Sequence, residues 1–302
     1  MSAVRTAEAD VARRLVGRRS TGERIRGQLF QAGLLATVAL ALLSLAVLLI
    51  DVILDGGSKL SWDFITSFPS RVRPESAGVE SALVGTLYLM ALVTLFIVPV
   101  GVATAVYLEE YADRNRWWNR MIELNIQNLA SVPSVVYGIL GLAFFVRDPL
   151  SLGPVLMAGA LTLGLLVLPV VIIVAREAIR AVPPSIREGS MALGATQWQT
   201  IWKQVLPGSI AGIATGVILA LSRAIGETAP LLVIGAAASP RFNPDGLDSQ
   251  FTALPIQIFV WTQDPNPAFI ERAAGAIVVL MVILLLMNSV AIWLRNRYEQ
   301  KW

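Results

Sequence analysis

The 302-residue chain contains no cysteine and no histidine. The first absence excludes disulfides, thiolate nucleophiles and cysteine-held metal or cluster chemistry. The second excludes Ser-His catalysis, His-based metalloprotease sites and the commonest metal ligand. Charge is scarce: Asp, Glu, Lys and Arg make up 15% of the residues, against 55% hydrophobic ones and a mean hydropathy of +0.66. Those values lie far from the average of soluble domains. No Gly-x-x-x-x-Gly-Lys-Ser/Thr loop occurs, so the chain has no such cradle for ATP. Nor is there a Gly-x-Gly-Asp pair of acids, which leaves no nucleophile-and-base set for an intramembrane enzyme. What abounds is apolar runs longer than 18 residues, the mark of a polytopic membrane protein.

Six spans are expected, at about 29–50, 81–108, 124–146, 154–175, 208–238 and 273–294, giving an all-α fold with both termini on one side. Seventeen of the 24 Lys and Arg fall in 1–26, 109–120, 176–207 and 295–302, and five in 51–80, 147–153 and 239–270. The positive-inside rule then puts both termini in the cytoplasm. Residues 1–26 hold seven arginines and read as a basic tail on anionic lipid, ahead of a membrane domain over 27–302. The apolar run after the tail is too long for a cleaved signal, and no small-x-small site ends it. Trp62, Phe64 and Phe68 are expected at the outer interface, as is a short helix around 251–262. No internal repeat is visible, which disfavours an inverted-repeat secondary transporter running on ion gradients.

One span carries charge through its core. Ser222-Arg-Ala-Ile-Gly-Glu-Thr-Ala-Pro-Leu-Leu232 places Arg223 and Glu227 four residues apart, on one helix face. A charge at the bilayer centre costs about 2.5–3.5 kcal/mol on insertion scales, so it calls for a partner, a wet cavity or a task. A pair that only fixes helix packing is the plain alternative to a transport site. Pro230 pushes on the carbonyl of Gly226, so a kink is expected there, with Gly226 and Pro230 as the hinge. Ser222 and Thr228 flank the pair. In the third span Asn125, Asn128, Ser131 and Ser134 recur near helical spacing, either joining helices or lining a path.

The polar insert 176–207 reads as two short helices at an angle. Pro183-Pro184 ends the fourth span. Ser185 with Glu188, and Thr196 with Gln199, have capping-box spacing, and Gly194 suits a left-handed helix end. Trp198, Trp202, Ile201 and Val205 give the second helix an apolar side, and Leu206-Pro207 leads into the fifth span. Such a hairpin buries its apolar side against lipid or against a soluble partner.

Glu188-Gly-Ser-x-x-x-Gly194, nine residues and then Gln204-Val-Leu-Pro207 resembles the EAA loop of ABC importer permeases. Gly189, Ser190 and Gln204 depart from that pattern; the Glu, Gly, Leu and Pro spacing holds. The segments 98–112, Ser131-Val-Pro-Ser-Val-Val-Tyr-Gly-Ile-Leu-Gly141, Arg223–Leu232, Ala253-Leu-Pro-Ile-Gln-Ile258 and Ala291-Ile-Trp-Leu-Arg-x-Arg297 are similar to phosphate permeases of the PstA type, over roughly 80–302. The resemblance implies a multi-pass subunit of a phosphate importer in the bacterial cytoplasmic (inner) membrane. It would pair with a PstC-type permease, two PstB-type ATPases and a PstS-type binding protein, with ATP and Mg on the ATPase and no cofactor on this chain. Under that reading Glu188, Gly194, Trp198, Trp202, Leu206 and Pro207 couple to the ATPase. Arg223, Glu227, Ser222, Thr228, Asn128, Ser131 and Ser134 face the substrate path. A permease for sulfate or molybdate is the competing reading; the EAA pattern alone allows it, and the Arg223–Leu232 stretch argues against it.

Overall fold

The computed structural model describes residues 21–113, 115–236 and 239–298, so most of the arginine tail lies outside the described residues. The described part is all-helical. It separates into residues up to Asp51 and a compact unit from Val52 onward. Helix α1, Thr21–Gly57, is apolar and longer than the 29–50 span expected of it.

In the compact unit a short α2, Trp62–Thr66, is capped by the Ser61 hydroxyl on the Phe64 amide. Helix α3, Glu80–Val106, runs on through one wide turn to Tyr111. Helices α4, Trp117–Ala130, and α5, Ser134–Gly141, form a pair; the helix containing α5 continues to Val146 and is bent by 104° from α4. Then come α6, Leu156–Arg180, α7, Pro184–Ala192, and α8, Gln197–Thr200. Helix α8 passes through another wide turn, Ile201–Val205, into α9, Leu206–Ile225. The remainder is α10, Ala229–Val233, α11, Leu254–Thr262, and α12, Pro267–Tyr298. Among the described residues five helices are long and apolar enough to cross a membrane, and a sixth span exists if the bent pair counts as one.

Helix α6 is the axle of the compact unit, packed against α3, α4, α5 and α9. Helices α3, α5 and α9 approach it closely because each carries glycine where it crosses: Gly101 meets Val171 and Gly141 meets Thr162. Gly212 and Gly216 of α9, one turn apart, face Ala178 and Val174; a Cβ at Gly216 would lie 1.6 Å from a Val174 methyl. This small-x-x-x-small seam holds helices together where lipid offers no hydrophobic drive. Gly85 of α3 meets the backbone of the 252 segment, where an added Cβ would sit 2.1 Å from the Thr252 carbonyl oxygen. Backbone cannot rotate away as a side chain can. Gly85→Ala is therefore expected to destabilise the protein by about 1–3 kcal/mol, whereas Gly189→Ala, with nothing within 4 Å, leaves stability unchanged or raised. Thermal unfolding of the detergent-solubilised chain checks both.

Two expectations for the loops are corrected. Phe64 is 1% exposed, packed beside Trp261 and under the Arg272 guanidinium instead of resting at an interface. Helix α11 forms where a helix was expected, but Leu254, Ile256 and Trp261 are buried against neighbouring helices. Tertiary packing supplies these groups with an apolar setting that local sequence could only assign to lipid.

Candidate functional site

The site begins with two helix breaks, each caused by a proline. Pro230 lacks the N–H that would bond the Gly226 carbonyl, and its ring crowds that carbonyl. Helix α9 ends at Ile225, Gly226 caps it, and α10 restarts with Pro230 in its first turn, where proline is tolerated. The fifth span is thus interrupted at 226–228, not a continuous kinked helix over 208–238. Pro133 acts in the same way in the third span, so 124–146 is not one helix. The Leu129 carbonyl, four residues before Pro133, accepts from the Val132 amide at 3.1 Å and from the Tyr137 hydroxyl at 2.8 Å. A broken helix is tolerated in a membrane when side chains take up the freed backbone groups.

The breaks meet. Helix α5 packs on α10 so closely that a Cβ on Gly138 would lie 2.7 Å from the Pro230 Cα. Beside this contact is a narrow crevice of ≈ 20 Å³, room for about one water. Leu129, Val132, Ser134 and Tyr137 line one side, and Leu166, Val167, Ala220 and Arg223 the other. Leu166 and Val167 stand at the middle of α6, so the crevice lies at half the depth of that span. Arg223 occupies the last turn of α9, where the negative end of the helix dipole favours a cation.

Arg223 and Glu227 are neighbours but loosely so, with Nε 3.7 Å from Oε1, beyond hydrogen-bond length. The Glu227 side chain is 17% exposed and that of Arg223 67%, and no described residue accepts a hydrogen bond from its guanidinium. Arg176, by contrast, is held by Glu109 and Glu123. Of the other path residues, Ser134 joins Arg223 at the crevice and Thr228 lies in the break. Ser131 donates to the Asn128 carbonyl at 2.7 Å, and Asn128 is exposed outside the crevice. The Ser222 hydroxyl turns to α12 and donates to Asn288 Oδ1 at 2.9 Å, which makes it a helix–helix tie. Of the hinge pair, Gly226 sits in the open link, whereas Pro230 is buried beneath Gly138. Tyr137 and Asn288 were missed from the sequence; a lone polar side chain in an apolar run was the available signal for each.

At the far end of α6 stands the hairpin α7–α8. Gly194 has φ +87°, the left-handed conformation expected, and the Thr196–Gln199 capping box is formed. The Ser185–Glu188 box is not: Pro183 takes the cap position and Pro184 the first turn, so Ser185 falls inside the helix. Ser190 and Thr200 hydroxyls join α7 to α8 at 2.9 Å. Trp198 and Trp202 stack at 5.6 Å and line an apolar groove with Val98, Val102 and Leu206. Glu188 is exposed, and Leu193, which sequence reasoning passed over, is 91% exposed at the tip. The wide turn at 201–205 lies just before Pro207, whose ring would clash with the Lys203 carbonyl in a regular helix. Helical structure thereby runs unbroken from Gln197 to Ile225, from hairpin to Arg223.

Beside the hairpin, α3 ends in two adjacent acids. Glu109 accepts from Arg176 and Arg180 of α6, and Glu110 accepts from Arg187 of α7 at 3.0 and 2.8 Å.

The chain is 34% identical over 262 residues to the probable ABC transporter permease protein YqgI of Bacillus subtilis, covering 83% of this chain and 88% of that one. It is 35% identical over 226 residues to the phosphate transport system permease protein PstA 1 of Mycobacterium tuberculosis, covering 74% and 73%. Its fold matches a chain of a bacterial alginate ABC transporter with a TM-score of 0.64 at 19% identity, over 91% of this chain and 96% of that one. Residues 97–302 fit the family described as binding-protein-dependent transport system inner membrane component. The chain therefore belongs to that family, as a multi-pass membrane permease subunit of an ABC transporter.

Proposed function

We propose that this permease forms half of the translocation path of an ATP-driven phosphate importer in a bacterial cytoplasmic membrane. The observation that carries the reading is Arg223: a guanidinium at mid-span depth, beside a crevice between two broken helices, with no described residue accepting its hydrogen bonds. A planar fork of donors suits two oxygens of an oxyanion. The names of curated relatives, phosphate permeases among them, support phosphate as that oxyanion. Glu227 balances Arg223 when the path is empty and accepts a hydrogen bond from a protonated phosphate oxygen. Sulfate has no proton to give there and leaves the carboxylate unmatched.

Coupling follows from the continuous helix between Gln197 and Ile225. A cytoplasmic ATPase docked on the hairpin moves α9 with it, while the link at 226–228 lets α10 and α5 respond separately. A homologous second permease covers the exposed face of Arg223, and a binding protein delivers substrate. Glu188, Gly194, Leu206 and Pro207 belong to this coupling element; Trp198 and Trp202 brace it from the α3 side.

The test is a reconstituted complex of this chain with the partner permease, ATPase and binding protein. Phosphate is expected to stimulate ATP turnover, and sulfate in excess is expected not to compete with phosphate uptake. Equal competition by sulfate points to a broader oxyanion permease. Glu227→Gln is expected to narrow the phosphate preference by roughly 5–150-fold, since an unmatched buried acceptor costs about 1–3 kcal/mol.

A further inference from the structure

Hairpin α7–α8 is joined by the chain itself to α6 and α9, but not to α3. Besides the apolar groove that Trp198 and Trp202 share with α3, a set of polar side chains makes the third connection. Arg187 of α7 donates from Nε and Nη2 to Glu110 Oε1 of α3, at 3.0 and 2.8 Å. The same guanidinium donates to the carbonyls of Val182 and Ile179, at 2.7 and 2.9 Å, at the end of α6. One residue thus ties three elements. Gln197 of α8 adds a hydrogen bond from Nε2 to the Glu110 carbonyl. Next door, Glu109 receives Arg176 and Arg180, and Arg176 also reaches Glu123 of α4. The Glu109 and Glu110 side chains are 4% and 8% exposed, so these are not solvated surface pairs.

We propose that Glu110 and Arg187 form a positioning joint that passes hairpin movement to α3. The inference rests on the hairpin being the ATPase-coupling element. The α3 end is suited to the task. Its last turn is wide, which presents Glu109 and Glu110 toward two different partners: Glu109 to α6 and Glu110 to α7. Because α3 packs along α6 and borders α9, a joint at its end lets one docking event turn three spans together. Without the Glu110 carboxylate, Arg187 keeps its two carbonyl acceptors and stays on α6, and only the Gln197 hydrogen bond and the apolar groove still tie the hairpin to α3, so less of its movement reaches that helix. Neither Glu110 nor Arg187 touches substrate, so the effect falls on transport per ATP.

The experiment measures ATP hydrolysed per phosphate taken up in the reconstituted complex. Glu110→Gln is expected to raise that ratio roughly fivefold or more, with subunit stoichiometry unchanged. Glu177→Gln, an exposed partner of Arg180, is expected to leave it unchanged. Arg187→Lys keeps the charge but not the fork, and carries the test if Glu110→Gln fails to assemble. The absence of cysteine allows a further comparison on one sample. Glu110→Cys with Arg187→Cys, bridged by a reversible bis-methanethiosulfonate, is expected to be coupled when bridged and uncoupled when released. A wild-type ratio in Glu110→Gln or Arg187→Lys, or equal ratios before and after release, overturns the joint. A wild-type complex lacking ATPase or phosphate-stimulated turnover overturns the underlying reading instead.

Discussion

Arg223→Ala is expected to abolish phosphate uptake while the complex still assembles and reaches the membrane. The residue contributes little to the fold: its side chain is two-thirds exposed and its pair with Glu227 is 3.7 Å long. On the proposed reading its value lies in two charge-assisted hydrogen bonds to an oxyanion, each worth about 1.5–3 kcal/mol. Exposure of the guanidinium puts the sum toward the lower end, so the loss is roughly 100-fold or more. Arg223→Lys keeps the charge but loses the planar fork and is expected to rescue uptake only in part. Transport assays in membrane vesicles, with co-purification of the partner subunits as the control, decide it. Full uptake with alanine at 223 would reduce the pair to a packing feature.

The second large effect is expected at Gly194. Its φ of +87° is reached at little cost by glycine and at about 1–2 kcal/mol by other residues, more when they branch at Cβ. Nothing lies within 4 Å of where a Cβ would be, so the penalty is purely conformational. Gly194→Val should therefore reset the angle between α7 and α8 without disturbing the helices around α6. The expected outcome is loss of ATPase from the purified complex and loss of uptake, with the unfolding temperature of the spanning unit nearly unchanged. Gly194→Asn, which tolerates the left-handed region, should retain most activity. If the valine variant holds its ATPase and transports normally, the hairpin geometry is not what couples.

Several features were legible before any coordinates. Apolar runs pointed to the five long apolar helices among the described residues, because a membrane demands a fixed length of uncharged helix, but not to the breaks in the third and fifth spans. Gly194 and the Thr196–Gln199 cap were readable because both are set within four residues of chain. The charged pair at 223 and 227 stood out because charge is rare in such runs. The errors share a cause. Pro133 and Pro230 announce a disturbed helix, but whether the chain kinks or breaks depends on what receives the freed carbonyls and what packs alongside. Tyr137 does the first for Leu129, and the Gly138–Pro230 contact does the second. Ser185 was misassigned because two prolines moved the helix start two positions earlier, to a cap at Pro183.

By itself the sequence determined that this is an all-helical membrane subunit, that it carries one ion pair within an apolar span, and that a bent amphipathic hairpin precedes that span. Those properties follow from local composition, spacing and the chemistry of single residues. Only the tertiary structure decided that the two broken helices share one crevice, that Ser222 turns to Asn288, and that Glu109 and Glu110 grasp arginines more than 60 residues away in the chain. Contacts of that kind depend on which helix faces which, and that is set by where glycines let α3 and α9 close on α6.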